Sequence, residues 1–207
     1  MNSVFKGKLD NIQNIAPFSH QVIHEPSDEV LLDRFLKGSR RSYEILVLRY
    51  KKRIFEFIYF QIKQHSHDAE DLTQEVFIEL YKKAASYRNE AKFSTYLFSI
   101  ARNMVLNYFR TTSRRFSLLK LFQSNEEPET KSPQEKFIDI ATQRQIMFAV
   151  NSLNVEERQI IYLCDKENFS YTQISNILNI KVGTVRSRLN TARQKIVQEL
   201  RESSHEM

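Results

Sequence analysis

Apolar residues recur along this chain at intervals of three and four, and strict alternation is nowhere sustained. That spacing predicts helices throughout and no strand. A first block reads as four helices. Asp28–Lys37 brings Val30, Leu31, Leu32 and Phe35 together, and Arg40–Gln64 does the same for Tyr43, Leu46, Val47, Tyr50, Ile54, Phe57 and Ile58. Asp68–Ser86 and Ser94–Arg110 complete it. A second block reads as four more: Gln134–Leu153, Val155–Lys166, Tyr171–Leu178 and Thr184–Leu200. Proline and glycine mark the boundaries. Pro17 and Pro26 precede the first block, Pro128 and Pro133 separate the two, and no glycine falls between Gly38 and Gly183. The expected fold is all-α, two small helical domains joined by a flexible linker. Residues 1–27 are expected to form a disordered tail and 28–115 the first domain. Residues 116–133, acidic around Glu126, Glu127 and Glu129, are the expected linker. The second domain is placed at 134–200, with a tail at 201–207.

The second domain holds a specific local pattern. Ser170-Tyr171-Thr172-Gln173 has the form of a capping box, in which a serine hydroxyl and a glutamine side chain satisfy orphan N–H groups reciprocally. Ile174, Ile177 and Leu178 give the helix that follows a buried side. Asn179-Ile180-Lys181 is a short turn, and Val182-Gly183-Thr184 opens a longer helix. A short helix, a turn of three or four residues and a longer helix make a helix-turn-helix. At about 100° per residue, Val185, Leu189, Ala192, Ile196 and Leu200 share one arc of the longer helix. Ser187, Asn190, Thr191, Gln194 and Gln198 lie opposite, with Arg186 and Arg193 on one flank and Arg188 and Lys195 on the other. A helix in the major groove needs this layout, polar groups toward base edges and cations toward both phosphate walls. A solvated amphipathic helix explains neither the missing acids nor the capped helix before it.

Charge sharpens the division. The 207 residues carry a formal net charge of +6, which favours an anionic partner. Ala91 to Asn125 holds six bases and no acid, and Asn168 to Gln198 five bases and no acid. Between Asp68 and Glu79 there are five acids and no base. Two basic surfaces and one acidic one suit two kinds of partner. The lone cysteine, Cys164, sits in an apolar run and reads as a small core residue. Met1 to His24 lacks the continuous apolar core of a signal peptide, and no run approaches a membrane span. A cytoplasmic location without membrane insertion is expected.

On Asp68–Ser86, one arc holds Asp68, Asp71, Glu75 and Glu79, beside a packed seam of Ala69, Leu72, Val76 and Leu80. The stripe fits a solvated face or a docking surface for a basic helix. A metal site using His65 and His67 is a third option, but stacked like charges make a poor cage; no metal or cofactor is expected. On Ser94–Arg110, Leu97, Ile100, Met104 and Tyr108 point inward, while Ser99, Arg102, Asn103, Asn107 and Arg110 face out. The loop ahead of it, Tyr87-Arg88-Asn89-Glu90-Ala91-Lys92-Phe93, interleaves aromatics with bases and amides. That mixture suits stacking on unpaired bases, although a core helix with a wet face has the same inward arc.

Three segments carry a family resemblance: Asp68-Ala69-Glu70-Asp71-Leu72-Thr73-Gln74-Glu75-Val76-Phe77, Phe93 to Asn103, and Gly183-Thr184-Val185-Arg186-Ser187-Arg188-Leu189. In order and spacing they resemble the bacterial extracytoplasmic-function (ECF) sigma factors, over about Asp28 to Leu200. The resemblance implies a promoter-recognition subunit of RNA polymerase. It implies that Asp71, Leu72, Gln74, Glu75 and Phe77 bind a coiled coil on the largest core subunit. Asn89, Lys92, Phe93, Ser99, Arg102, Asn103, Asn107 and Arg110 would open the −10 element and hold a flipped base. Thr184, Arg186, Ser187, Arg188, Asn190, Thr191, Arg193 and Gln194 would read the −35 duplex. The linker resembles a segment threaded toward the RNA exit path, and an anti-sigma partner is usual in the family. Tyr96 stands where the family usually has Trp, and Asn107 where it often has Asp. The rival is a stand-alone helix-turn-helix regulator, which leaves the acidic stripe and the Ser94–Arg110 helix without a role. An enzyme fits least: there is no Gly-rich phosphate loop and no Ser-His-Asp or Cys-His set.

Overall fold

Most helices begin where the sequence offers a cap. In the computed structural model, which describes residues 25–63, 65–120 and 140–205, Ser27 Oγ accepts the Val30 N–H at the start of α1 (Asp28–Leu36). Gly38, at φ 101°, turns the chain, and Ser39 caps α2 (Arg40–Gln61). α3 (Ser66–Lys83) ends in a 3₁₀ turn, Ala84–Ser86, and the chain crosses to α4 (Phe93–Lys120). In the second half, α5 (Ile140–Ser152) leads to α6 (Val155–Ile161), whose start is a capping box between Asn154 and Glu157. α7 (Tyr171–Leu178) and α8 (Val182–His205) follow. No strand occurs among the described residues.

The fold class is the expected one, with differences at the helix ends. α4 runs ten residues past Arg110 because nothing from Thr111 to Lys120 is a proline or glycine; the first part of the expected linker, 116–120, is therefore helical. α8 likewise continues to His205. The segment expected as one helix, Val155–Lys166, changes pitch. After Ile161 the turn widens, the Glu167 N–H reaching back to the Tyr162 carbonyl at 3.1 Å and the Phe169 N–H to that of Leu163 at 3.0 Å. Most of the expected N-terminal tail, the rest of the linker to 133 and the stretch Gln134–Asp139 lie outside the described residues.

α1 to α4 form one bundle around Leu46, Ile54, Phe57, Ile58, Val76, Leu80 and Leu97, all at or near zero exposure. α5 to α8 form another around Leu153, Ile160, Ile174, Val185 and Leu189. The two pack on each other, α4 on α7 and α2 on α6, so the apolar core runs from one into the other. Rings meet across the boundary: Phe57 and Phe60 lie 5.5 and 5.1 Å from Tyr162, and Phe98 lies 5.1 Å from Phe169. Polar groups are caught there too. Arg158 is buried and donates to the carbonyls of Leu153 and Gln61. Burial holds its guanidinium below the ordinary arginine range. Among the described residues, Arg158 Nε, both amide atoms of Gln61 and the Tyr162 hydroxyl have no hydrogen-bond partner. Each such group costs about 1–3 kcal/mol, comparable to the roughly 1.5–3 kcal/mol from burying one aromatic ring.

Candidate nucleic-acid and polymerase interfaces

The acidic stripe divides in the structure. Asp71, Gln74 and Glu75 stand exposed on α3, Asp71 with 60% of its side chain open. Asp68 is half-buried and accepts a hydrogen bond from the Tyr108 hydroxyl. Glu79 is ion-paired with Lys83 at 2.5 Å. Leu72 and Phe77 are only 8% and 7% exposed: both anchor the stripe to the core, and Phe77 reaches the surface only as part of the wall of the adjoining groove. Beside it runs an apolar groove of about 450 Å³ between α2 and α3, lined by Tyr43, Val47, Gln74, Phe77, Ile78 and Tyr81. His67 lies 3.8 Å from Asp71. Among the described residues no cluster of three or more His, Cys, Asp or Glu side chains could hold a metal ion.

The residues expected at the −10 element fall around two clefts. One, of about 350 Å³, is lined by Arg102, Asn103, Asn107 and Arg110 of α4 with Glu79 and Lys83 of α3. Arg102 donates to Asn103 Oδ1 at 3.0 Å, and burial holds its guanidinium below the ordinary range. The other, of about 250 Å³, lies under the loop and is lined by Tyr87, Arg88, Thr95, Tyr96 and Ser99, with Asn176 of α7 at its edge. Asn89 and Lys92 are exposed on this loop, whose shape is fixed locally. Asn89 takes a left-handed φ of 55°, which asparagine tolerates. The Tyr87 hydroxyl donates to the Ala91 carbonyl at 2.6 Å and to Asn89 Oδ1 at 3.2 Å. Glu29 of α1 accepts the Phe93 N–H at 3.1 Å, capping α4 from another helix. Phe93 itself has no exposure and packs against Tyr50; its expected place at the DNA surface is corrected to a core role.

In the helix-turn-helix, the Ser170 box forms as expected: the Ser170 N–H donates to Gln173 Oε1 at 2.9 Å and the Gln173 N–H to Ser170 Oγ at 3.2 Å. Asn179 closes α7 at φ 50°. Val185, Leu189 and Ala192 are buried. Ser187, Asn190, Thr191 and Gln194 are exposed, and Thr184 is half-buried. The cationic flanks are already partnered in part. Arg188 pairs with Glu156, Arg193 with Asp165 at 2.5 Å, and Lys195 with Glu157 at 2.6 Å. Arg186 is exposed and forms no ion pair among the described residues.

Comparison with known proteins agrees with this layout. Residues 46–115 match the model for sigma-70 region 2, and residues 143–196 that for sigma-70 region 4. The ECF RNA polymerase sigma-E factor of Escherichia coli K12 is 32% identical over 178 residues, 82% of this chain and 92% of that protein. This chain belongs to the ECF RNA polymerase sigma factors. It directs core RNA polymerase to promoters, which removes the stand-alone regulator as a reading. Another relative, the sigma factor SigE of Mycolicibacterium smegmatis, is 32% identical over 188 residues, 88% of this chain and 72% of that protein. The sigma factor RpoE of Bartonella quintana, solved with the anti-sigma factor NepR, matches with TM-score 0.64 at 22% identity, covering 78% of this chain and 98% of that one. CnrH, solved with the cytosolic domain of CnrY, matches with TM-score 0.62 at 19% identity, covering 86% and 99%. Both share the fold. Among the described residues of this sigma factor no helix is long and apolar enough to cross a membrane.

Sequence reasoning missed Tyr87, Arg88 and Tyr96 as cleft residues of the sigma factor, although the first two lie in the loop it singled out. Their signal was present: the Tyr87 and Tyr96 rings sit 5.3 Å apart, bracketing the loop from both ends. Asn176 had none, because its place beside the loop depends on how the two domains pack.

Proposed function

We propose that this sigma factor works through three surfaces. The α3 face of Asp71, Gln74 and Glu75, with the adjoining groove at Ile78 and Tyr81, takes the basic, partly apolar side of a coiled coil on the largest polymerase subunit. The α4 face and its loop take the unpaired −10 strand. Arg102, Asn103, Asn107 and Arg110 hold its backbone, and the Tyr87–Tyr96 cleft receives a flipped base, where aromatic walls favour stacking. α8 enters the −35 major groove with Ser187, Asn190, Thr191 and Gln194 toward the bases and Arg186 toward phosphate. The first domain extends from residue 28 through α4, and the second from α5 through α8. The fold shared with two anti-sigma complexes supports a similar inhibitory partner here. The site of action is the cytoplasm, where polymerase and promoter meet, and no catalytic role is assigned.

The observation that carries this reading is the exposed Asp71–Gln74–Glu75 face, held rigid by Leu72 and Phe77 beneath it. Run-off transcription with core polymerase and a candidate promoter tests it. Transcript should require this chain and disappear with Glu75→Lys. A Glu75→Lys protein that still supports full transcription would overturn the assignment of the core-binding face.

A further inference from the structure

Most polar side chains on the outer side of α8 are already engaged within the protein. Ser187 Oγ donates to the Thr184 carbonyl and Thr191 Oγ1 to the Ser187 carbonyl, each at 3.1 Å. Gln198 Nε2 donates to Glu202 at 2.9 Å. The cations are held as well, Arg188 by Glu156, Arg193 by Asp165 and Lys195 by Glu157. Arg186, Asn190 and Gln194 differ: all three are exposed, and their side chains have no such partner among the described residues. They are not scattered. They stand four residues apart, so they form one row along the helix, each about 40° round from the last.

The two amides of this row have a definite complement. A carboxamide presents an acceptor and a donor side by side on one planar group. Adenine shows the major groove an acceptor at N7 beside a donor at N6, which the amide matches with two hydrogen bonds. Guanine shows two acceptors, N7 and O6, so the amide oxygen would face another lone pair. A hydroxyl can serve either base, but the hydroxyls of Ser187 and Thr191 are turned back onto helix carbonyls. Residues four apart are about 6 Å apart along a helix, and stacked bases are about 3.4 Å apart. The two amides therefore fall on base pairs one or two steps apart. No bond within the protein has to break for either to reach a base.

We propose that Asn190 and Gln194 are the specificity-determining pair of the −35 reader, each taking the adenine of one A·T pair, the two pairs lying one or two steps apart. This rests on the −35 reading above and names what is read. Arg186, one turn earlier on the same row, sets the register by holding phosphate. Ser187 and Thr191 line the groove without selecting a base.

The test uses the full chain to select duplexes from a pool with a randomised central segment. Wild-type selections should be enriched in two adenines one or two steps apart. Asn190→Ala should lose the preference at one of them and Gln194→Ala at the other, while Ser187→Ala keeps both. Both amide residues are exposed, so their removal should leave the thermal midpoint unchanged. The selected duplex is then remade with 7-deazaadenine at each position in turn, which removes N7 and leaves base pairing intact. Each replacement should weaken wild-type binding about threefold or more, the loss of one hydrogen bond, and should not affect the variant that lacks the facing amide. Adenine preferences that survive in both alanine variants, or that Ser187→Ala removes instead, would overturn the pair. Guanine enriched at the positions that respond to Asn190→Ala and Gln194→Ala would overturn the adenine assignment. A wild-type chain that enriches no duplex would overturn the −35 reading itself, and that result is distinguishable because it precedes any variant.

Discussion

Tyr108 of α4 donates a 2.6 Å hydrogen bond to Oδ2 of Asp68 in the first turn of α3. The contact ties α4 to α3, the two helices proposed to take the −10 strand and the polymerase. It also removes Asp68 from the acidic stripe as a free charge. Burial, with the bond to Asp68, pushes the Tyr108 hydroxyl up to about 12. Burial likewise pushes the Tyr43 hydroxyl, which donates to the Phe77 carbonyl, up to about 12.

These two tyrosines contribute to alkaline unfolding, as do Tyr50 and Tyr162, whose hydroxyls burial pushes up further still. The pKa of Tyr43 and Tyr108 in the folded state exceeds that of the unfolded chain, near 10, so the folded state holds their protons more tightly. Their contribution to stability is complete below pH 10 and is lost as pH rises through about 12. Thermal midpoints should fall steeply across that window. Tyr108→Phe should flatten part of the fall while lowering the midpoint at neutral pH by a few degrees, since a typical hydrogen bond contributes about 1 kcal/mol. A pH profile indistinguishable from wild type would mean that the bond to Asp68 does not form in solution.

Glu75→Lys separates docking from folding. Glu75 is exposed on α3, so reversing its charge should leave the thermal midpoint within about 1 °C, as surface changes usually do. Competition for core polymerase against wild-type chain should show loss of affinity by tenfold or more, because a like-charge contact replaces a complementary one. Leu72→Ala should act differently. It removes a buried side chain and should destabilise the fold by about 2–5 kcal/mol, with any docking defect secondary.

The contrast between Glu75 and Leu72 shows what was legible in the sequence. Periodicity identified the helices, the inward arc of α3 and the capped start of α7, because these are local consequences of 3.6-residue spacing and of one hydroxyl; it misplaced part of the arc of α4, where Phe98, Ala101 and Val105 are buried and Met104 and Tyr108 only half-buried, and it turned inward Val30, which is exposed. Motif order suggested the three surfaces proposed above. It could not separate a motif residue that makes contact from one that supports it: Phe93, Leu72 and Phe77 belong to the motifs yet lie in the core. Nor could it show that Arg188, Arg193 and Lys195 meet carboxylates of their own domain. Those partners lie 28 to 38 residues away in sequence, and only the fold brings them together. The extension of α4 to Lys120 was obscured by a polar run that resembles a linker but contains no helix breaker.

Asn179 controls the turn between α7 and α8. Its φ of 50° lies in the left-handed region, and its N–H reaches the Ser175 carbonyl. Asn179→Gly should be neutral within about 0.5 kcal/mol, whereas Asn179→Val should cost about 1–2 kcal/mol, because a β-branched side chain opposes this conformation. Duplex −35 binding at saturating protein should survive both, provided the temperature stays well below each midpoint. Equal stability of the glycine and valine variants would exclude a left-handed turn at this position.

Arg186 and Arg193, on one flank of the proposed reading face of α8, should respond differently to salt. Arg186 is exposed without an ion pair among the described residues, so its approach to phosphate releases counterions and breaks nothing in the protein. Arg186→Ala should lower the salt slope of −35 duplex binding by about one. Arg193 must exchange the Asp165 carboxylate for a phosphate, so Arg193→Ala should weaken binding less. Asp165→Asn should then tighten binding, by removing a competing anion at the groove's edge, and should do so only while Arg193 is present. Fluorescence anisotropy across a salt series on the single and double variants measures all of this. If Asp165→Asn tightened binding equally in the Arg193→Ala background, the gain would come from general charge, and the Arg193–Asp165 pair would have no part in DNA recognition.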